Sequence, residues 1–238
     1  MAVTRILAAW ALLAALWPGA AAAQGCRIAL SLGLDVSSSV DAAEYELQVK
    51  GLAAALTAPE VVDAFFSEPG SWVALHVYEW SGRYQQSLRQ DWTAITTPAD
   101  LARVAAALSA QERSHRAFPT ALGYALGFGA NELRRAPPCV QNKLDISGDG
   151  TNNDGFSPDV ARREFPFGNI TVNGLVIGGN MDALRRYYRS FVIHGPGAFV
   201  EKARDYSDFE RAMRRKLERE LRVPQISGLV RRDQRTWR

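Results

Sequence analysis

The hydrophobic residues of this chain fall into short continuous runs and into stretches where an apolar residue recurs every three or four positions. The first long run, from Ile28 to Leu34, breaks abruptly into one carboxylate, Asp35, and three serines at 37 to 39. Such a run is typical of a strand that is covered on both faces in a parallel sheet. Because ligands of open α/β sheets bind at the carboxyl ends of the strands, we expect a binding edge here.

A hairpin is predicted at one edge of this sheet. The segments Ser71 to Trp80 and Tyr84 to Trp92 both have strand character, and only a short turn at 81 to 83 separates them. Strands joined this tightly run antiparallel. The pattern therefore favours an α/β fold with a mostly parallel sheet and one antiparallel edge strand.

Two pairs of residues, Asp41 with Glu44 and Ser207 with Glu210, have the spacing of a helix capping box. Each pair precedes apolar residues at helical spacing. The predicted inward-facing residues are Tyr45, Leu47, Val49, Leu52 and Leu56 in the first of these helices and Phe209, Met213, Leu217 and Leu221 in the last. The other predicted elements are helices at Val61 to Phe66, Pro98 to Ala110, Thr120 to just before Pro137 and Met181 to Tyr188, and strands around Leu144, at Ile170 to Gly179 and within Val192 to Val200.

The first 23 residues have the plan of a cleaved secretory signal. Arg5 forms a short positive region, and Ile6 to Leu16 is apolar but too short to span a bilayer comfortably. Ala21 to Ala23 supplies the small residues before a cleavage at Gln24, which predicts a periplasmic or secreted protein. A signal anchor is one alternative. A lipoprotein signal at Cys26 is disfavoured, because the branched apolar residue usual three positions earlier is missing.

The composition indicates that the rest of the chain forms one globular domain. The 238 residues are 47% hydrophobic and 22% charged, which suits a single α/β unit. We assign residues 24 to 222 to this domain and 223 to 238 to a basic, mobile tail, which could dock on anionic lipid or an acidic partner or simply be solvated. Without Arg5 the formal charge falls from +3 to +2, which gives no electrostatic argument for nucleic acid.

Three hard oxygen donors, Asp35, Ser37 and Ser39, stand within five residues. Clusters that contain only oxygen suit Mg²⁺, Mn²⁺ or Ca²⁺ better than zinc or copper. A serine-rich turn that merely caps the next helix would have the same local sequence. Two downstream residues favour the metal site, because Thr120 lies at a predicted helix start and Asp149 lies just past a second apolar strand.

Together, the Asp-x-Ser-x-Ser segment at 35 to 39, Thr120 and Asp149 resemble the metal-ion-dependent adhesion site of von Willebrand factor type A domains, with all five positions in family order. The likeness extends from about Cys26 to Leu221. The sequences at 34 to 40 and 145 to 153 resemble those of an exported proteobacterial branch of that superfamily, a family of unknown function. One departure is Gly148, where the superfamily more often has Thr or Ser, and we expect this glycine to make the loop more flexible.

The resemblance implies a doubly wound, mostly parallel sheet with one antiparallel edge strand and helices on both faces. It implies that Ser37 and Ser39 bind a divalent cation directly, with Mg²⁺ expected and Mn²⁺ or Ca²⁺ possible in its place. It also implies that Thr120 binds directly or through water, and Asp35 and Asp149 largely through water. Because hydroxyl ligands leave the ion under-neutralised, an Asp or Glu of a protein partner would be attracted to it.

We therefore expect a metal-dependent interaction module and not an enzyme, and two alternatives stay open. One is a structural scaffold with an idle metal site, and the other is a metal-dependent hydrolase. The sequence places no general base next to the site, and it has only three histidines and no Gly-x-Ser-x-Gly elbow. The charged loop from Gln111 to Pro119 could contact a partner or be a solvated connection, and Asp154 could be an outer-shell contact or a turn residue.

The predicted export signal favours a disulfide between the two cysteines, because exported proteins reach oxidising compartments. Cys26 lies nine residues before Asp35, and Cys139 lies ten residues before Asp149. If the two strands are parallel neighbours, both cysteines fall near the same edge of the sheet. We predict a Cys26 to Cys139 disulfide, with two free buried thiols as the alternative.

Overall fold

The computed structural model describes residues 25 to 222, so the signal predicted at 1 to 23 and the tail predicted at 223 to 238 lie outside the described residues. The strands are β1 (Gly25–Asp35), β2 (Ser71–Trp80), β3 (Gln86–Ile95), β4 (Cys139–Gly148), β5 (Ile170–Ile177) and β6 (Val200–Ala203). They form one sheet in the order β3-β2-β1-β4-β5-β6. Every neighbouring pair is parallel except β2 with β3 at the edge, which confirms the predicted sheet.

Helices cover both faces of this sheet, as predicted. Their bounds are α1 (Ala42–Thr57), α2 (Pro59–Phe65), α3 (Pro98–Ser109), α4 (Leu122–Arg135), α5 (Pro158–Glu164), α6 (Met181–Tyr187) and α7 (Phe209–Leu221). Helices α1, α2, α3 and α7 pack in one hydrophobic layer, and α4, α5 and α6 pack in the other. In the described range, none of these helices combines the length and the apolar character that crossing a membrane requires.

Helix α1 begins with the predicted capping box. The Glu44 amide donates to Asp41 Oδ1 at 2.8 Å, and the Asp41 amide donates to Glu44 Oε2 at 2.9 Å. The inward position predicted for Leu47 is wrong, because this side chain is 44% exposed. Gln48 is buried instead, and its amide donates to the Asp35 carbonyl at 3.0 Å. Gln48 faces inward because the Asp35 carbonyl at the end of β1 needs a hydrogen-bond donor.

The last strand lies later than the sequence pattern predicts. Residues Tyr188–Val192 continue α6 as a π-helical segment, and β6 begins only at Val200. The turn between them contains Gly195 and Gly197, whose φ angles of 87° and 72° suit glycine. Val192, the first residue of the predicted strand range, therefore belongs to a helical segment.

The capping box predicted at Ser207 and Glu210 is also wrong. Asp205 provides the cap, and its side chain accepts from the Asp208 amide at 3.1 Å to start a short 3₁₀ turn that leads into α7. The Ser207 hydroxyl donates to Asp205 and so supports the cap that replaces it. The four inward residues predicted for α7 are all buried, which confirms its apolar face.

The predicted disulfide is present. Cys26 and Cys139 are register partners on β1 and β4, and their sulfurs are bonded with a Cα to Cα distance of 4.5 Å. The bond joins residues 113 apart in the sequence at the end of the sheet opposite to Asp35. It therefore ties together the two strands that carry Asp35 and lead to Asp149.

His76 on β2 makes folding stability depend on pH. The side chain is buried, hydrogen-bonded to the Ser31 hydroxyl at 2.9 Å and stacked on Trp92. Burial lowers the pKa of His76 to about 4, although Asp91 acts to raise this pKa and Glu132 Oε2 lies 3.5 Å from Nε2. The nearby Arg135 acts in the same direction as burial. The imidazole is therefore neutral in the folded protein at neutral pH.

We predict that this histidine costs stability in acid. The unfolded chain takes up the proton below about pH 6.5 while the folded chain does not, so stability is lost as pH falls from 6.5 toward 4. At pH 5 the loss is about 2 kcal/mol. Urea unfolding of His76→Asn at pH 7 and pH 5 should show a smaller loss than wild type by about that amount. The matched variant His194→Asn should keep the wild-type loss, and equal losses in all three proteins would contradict the assignment.

Candidate metal centre

Three separate segments of the chain meet at the carboxyl edge of the sheet. Strands β1 and β4 are in register up to Leu34 and Ser147, so Asp35 and the Gly148-Asp149 pair emerge side by side. The segment before α4 joins them, because the Ala121 amide donates to the Ser81 carbonyl at the end of β2 at 2.8 Å. The binding edge predicted from the apolar run of β1 thus lies where these three segments converge beside the end of β2.

All five residues predicted as metal ligands are brought together there. Ser39 Oγ donates to Asp149 Oδ1 at 2.7 Å, and the hydroxyls of Ser37 and Ser39 are 3.2 Å apart. Thr120 Oγ1 donates to Ser37 Oγ at 3.3 Å, and the Ser37 amide donates to Asp35 Oδ1 at 2.8 Å. Asp35 and Ser37 are fully buried, whereas Ser39 is exposed. The inner side of the cluster, at Asp35 and Ser37, is therefore shielded from solvent, and its outer side, at Ser39, is open.

Asp35 and Asp149 place two carboxyl groups close together in this cluster. Burial and, next, the nearby Asp149 carboxylate raise the pKa of Asp35 to about 7, against the hydrogen bonds from Ser37 and the charge of Arg113. Asp35 Oδ2 is buried and accepts no hydrogen bond from the described residues. Two carboxylates and three hydroxyls form a set that fits a hard divalent cation.

The hydroxyls are essential to any cation site at this edge. Within residues 25 to 222, no three His, Cys, Asp or Glu side chains are grouped closely enough to hold a metal ion. A cation bound here would rest on Ser37, Ser39 and Thr120 together with the two aspartates. Such a ligand set carries less negative charge than a site built from three carboxylates, which leaves a bound ion electrophilic.

Arg113 supports the loop that carries the serines. Its guanidinium donates to the carbonyls of Val36 at 2.8 Å, Ser37 at 3.0 Å and Val40 at 2.7 Å. The loop from Gln111 to Pro119, for which a solvated connection was one interpretation, is therefore packed on the site. A further anchor is buried Glu79, which accepts from the Ser114 amide at 2.9 Å. The sequence shows this loop as charged but gives no sign of its carbonyl partners.

Asn152 and Asn153 attach the threonine segment to the loop after β4. Asn153 Oδ1 accepts from the Thr120 amide at 2.8 Å, and the Asn153 amide donates to the Thr120 carbonyl at 3.0 Å. Asn152 Oδ1 accepts from the Gly123 amide at 3.1 Å and so caps α4, which has no side-chain cap of its own. Asp149 and Thr120 are thus held in one unit. The sequence identified this segment only as a polar loop on the binding face.

Gly148 is constrained and does not loosen the loop. It ends β4 in a buried position, where an added Cβ would lie 2.7 Å from the Tyr188 hydroxyl and 2.9 Å from Asp35 Oδ2. The expectation of a flexible loop is therefore wrong, because glycine is needed for space. Asp154 is likewise held in a turn, by an ion pair with Arg83 at 2.8 Å.

Solved structures share this fold at low sequence identity. Proximal thread matrix protein 1 from the mussel byssus has a TM-score of 0.57 and 17% identity, covering 84% of this chain and 47% of that chain. Another structure of that protein, described as having a zinc-occupied metal-ion-dependent adhesion site, has a TM-score of 0.54 and 15% identity, with the same coverage. The von Willebrand factor type A structure from Catenulispora acidiphila has a TM-score of 0.53 and 17% identity, covering 83% and 43%.

A pilus adhesin, SpaC from Lactobacillus rhamnosus GG, has a TM-score of 0.56 and 12% identity, covering 82% of this chain and 30% of that chain. The chain spans less than half the length of each of these proteins. No curated protein sequence matches the chain significantly. A family model described as protein of unknown function, DUF1194, matches residues 25 to 225. Because this match covers most of the sequence, the protein belongs to the DUF1194 family, on a fold of the von Willebrand factor A type.

Proposed function

We propose that this protein is an exported interaction module that binds one divalent cation, with Mg²⁺ expected, through Asp35, Ser37, Ser39, Thr120 and Asp149. The observation that carries the proposal is the meeting of these five side chains, from three distant segments, in one hydrogen-bonded cluster. A turn that merely caps α1 would not need Thr120 and Asp149, since Asp41 already caps that helix.

The bound ion would capture a carboxylate of a protein partner. Ser39 and Asp149 lie on the open side of the cluster, so a ligand can approach there. Neutral hydroxyl ligands leave positive charge on the ion, and an Asp or Glu side chain is the protein group that best completes such a hard cation. The zinc-occupied adhesion site of the mussel protein and the adhesin role printed for SpaC support this type of function.

Export to the periplasm or beyond is part of the proposal. The disulfide between Cys26 and Cys139 is typical of an oxidising compartment. The signal predicted at 1 to 23 would direct the chain there.

Binding is favoured over catalysis because no histidine contacts the cluster in the described range. His76 is buried against Ser31 and Trp92, the His115 ring bonds the Ser87 hydroxyl, and His194 lies against Phe167. A general base must lie within hydrogen-bond reach of the proton that it abstracts. A panel of phosphoesters assayed with Mg²⁺ would reveal the alternative, a metal-dependent hydrolase.

Selection of a random peptide library on immobilised protein tests the proposal. In Mg²⁺, wild type should retain peptides that contain Asp or Glu and release them when the cation is chelated. Ser39→Ala removes a proposed ligand and should weaken binding of a recovered peptide at least tenfold, in line with losses at metal sites. Ser38→Ala makes the same change at the exposed neighbouring serine and should bind as wild type does.

The outcome also separates a binding module from an idle scaffold. Peptides retained equally in Mg²⁺ and in chelator, or equal binding by the Ser38→Ala and Ser39→Ala variants, would contradict metal-dependent capture. Replacing the acidic residue of a recovered peptide by its amide should abolish binding, because the amide cannot neutralise the ion.

A further inference from the structure

Two glycines open a slot for one tyrosine beneath the proposed cation site. Gly174 on β5 pairs with Ile146 on β4, two residues before Gly148, so both glycines present the same face of the sheet. An added Cβ at Gly174 would lie 2.7 Å from Tyr188 Cδ1, and one at Gly148 would lie 2.7 Å from the Tyr188 hydroxyl. The absence of side chains at these two positions leaves room for the Tyr188 ring, which is fully buried.

The end of the slot holds two polar atoms without partners. The Tyr188 hydroxyl and Asp35 Oδ2 are both buried, and neither has a hydrogen bond to the described residues. Both lie within 3 Å of the same point, the position of an added Cβ on Gly148. Buried polar groups are nearly always hydrogen-bonded. A phenol is a donor and a carboxylate oxygen is an acceptor, so the two groups are chemically complementary.

We infer that the Tyr188 hydroxyl is the hydrogen-bond donor for the inner oxygen of Asp35 and positions this carboxylate under the proposed cation site. Ser37 already holds the other oxygen, since its amide donates to Oδ1 at 2.8 Å. With both oxygens fixed, the carboxylate is oriented from two sides before an ion arrives. The effect on cation binding rests on the proposed function, whereas the hydrogen bond to Asp35 does not. Tyr188 is a positioning residue that acts through Asp35.

Calorimetric titration with Mg²⁺ tests the effect on the ion. Tyr188→Phe keeps the ring in its slot and removes only the hydroxyl, and the dissociation constant should rise about tenfold, as is common when a group supporting a metal ligand is lost. Tyr78→Phe is the matched control, because that buried hydroxyl donates to the Ala125 carbonyl at 2.9 Å. Unchanged affinity in Tyr188→Phe, with wild type binding Mg²⁺, would overturn the inference about the ion.

A second test removes the hydroxyl at Tyr188 and supplies one at position 148 instead. Gly148→Ser alone should weaken binding, because the new side chain collides with the Tyr188 hydroxyl. In the double variant Gly148→Ser, Tyr188→Phe the collision with the phenol oxygen is gone and the serine supplies the donor. The new Cβ still lies 2.9 Å from Asp35 Oδ2, so affinity should recover in part. Gly148→Ala with Tyr188→Phe fills the same space without a donor and should stay weak. Equal affinities in the two double variants would exclude a role for the hydroxyl.

A cycle of variants in chelator tests the hydrogen bond without any metal. Asp35→Ala removes the inner oxygen, so that the Tyr188 hydroxyl has no side-chain acceptor at this position. Tyr188→Phe should therefore lower the melting temperature in the wild-type background more than in the Asp35→Ala background. Equal decreases would overturn the contact. Coupling in this cycle together with no Mg²⁺ binding by wild type would support the contact and refute the proposed function.

Discussion

The double variant Cys26→Ala, Cys139→Ala is expected to have a free energy of unfolding about 4 to 5 kcal/mol below that of wild type. The disulfide closes a loop between residues 113 apart. A closure of this length removes conformational entropy from the unfolded chain worth about that amount in the loop model. The bond joins two register partners at the start of neighbouring strands, so the folded sheet needs no rearrangement when it forms.

Urea unfolding in oxidising and reducing buffer measures this effect. Reduced wild type should match the double variant, and both should show a steeper dependence on urea than oxidised wild type, because an unfolded chain without the cross-link exposes more surface. Equal midpoints and slopes in all samples would show that the disulfide contributes nothing to stability.

The Asp35→Asn variant is expected to be more stable than wild type in chelator, and Mg²⁺ is expected to narrow this difference. Asp35 is fully buried beside Asp149, and both features raise its pKa, to about 7. Since the folded-state pKa lies above the unfolded value, the charge opposes folding, and metal-free stability falls as pH rises from about 4 to about 7. At pH 8 the amide should therefore raise the free energy of unfolding by on the order of 4 kcal/mol.

Magnesium should narrow this difference, because only wild type gains stability from the ion. An ion that binds only the folded state stabilises it by about 2.7 kcal/mol at a hundredfold excess over its Kd, and the variant should lose this gain. Melting curves at pH 8 with chelator and with Mg²⁺ give the comparison. Asp63→Asn, at an exposed aspartate of α2, should be neutral in both buffers. A variant that is less stable than wild type in both buffers would contradict the charge argument.

Local signals in the sequence predicted much of the fold. The Asp41 and Glu44 pair lies within one helical turn, and the apolar run of β1 is explained by burial on both faces, so neither depends on distant partners. The cysteines paired as predicted because matched distances along two parallel strands translate directly into register. The same logic predicted that the chain segments holding Asp35 and Asp149 would lie side by side.

Groups that reach the site from distant segments could not be predicted in this way. Arg113 contacts backbone carbonyls, Asn152 caps a helix, and Tyr188 fills the space beside two glycines. None of these contacts produces a recognisable residue spacing in the sequence. Gly148 was interpreted as a source of flexibility because its neighbour in space is 40 residues away along the chain. The strand predicted within Val192 to Val200 begins only at Val200, because Tyr188–Val192 extends α6.

The location of Mn²⁺ in crystals of the wild-type protein, found from its anomalous scattering, tests the cation site most directly. Manganese takes the same hard oxygen ligands as magnesium and can be identified in the crystal. One strong peak is expected within bonding distance of the Ser37 and Ser39 hydroxyl oxygens, with Asp35, Thr120 and Asp149 around it. Crystals grown in millimolar MnCl₂ that show no peak at this edge of the sheet would contradict the metal-binding account.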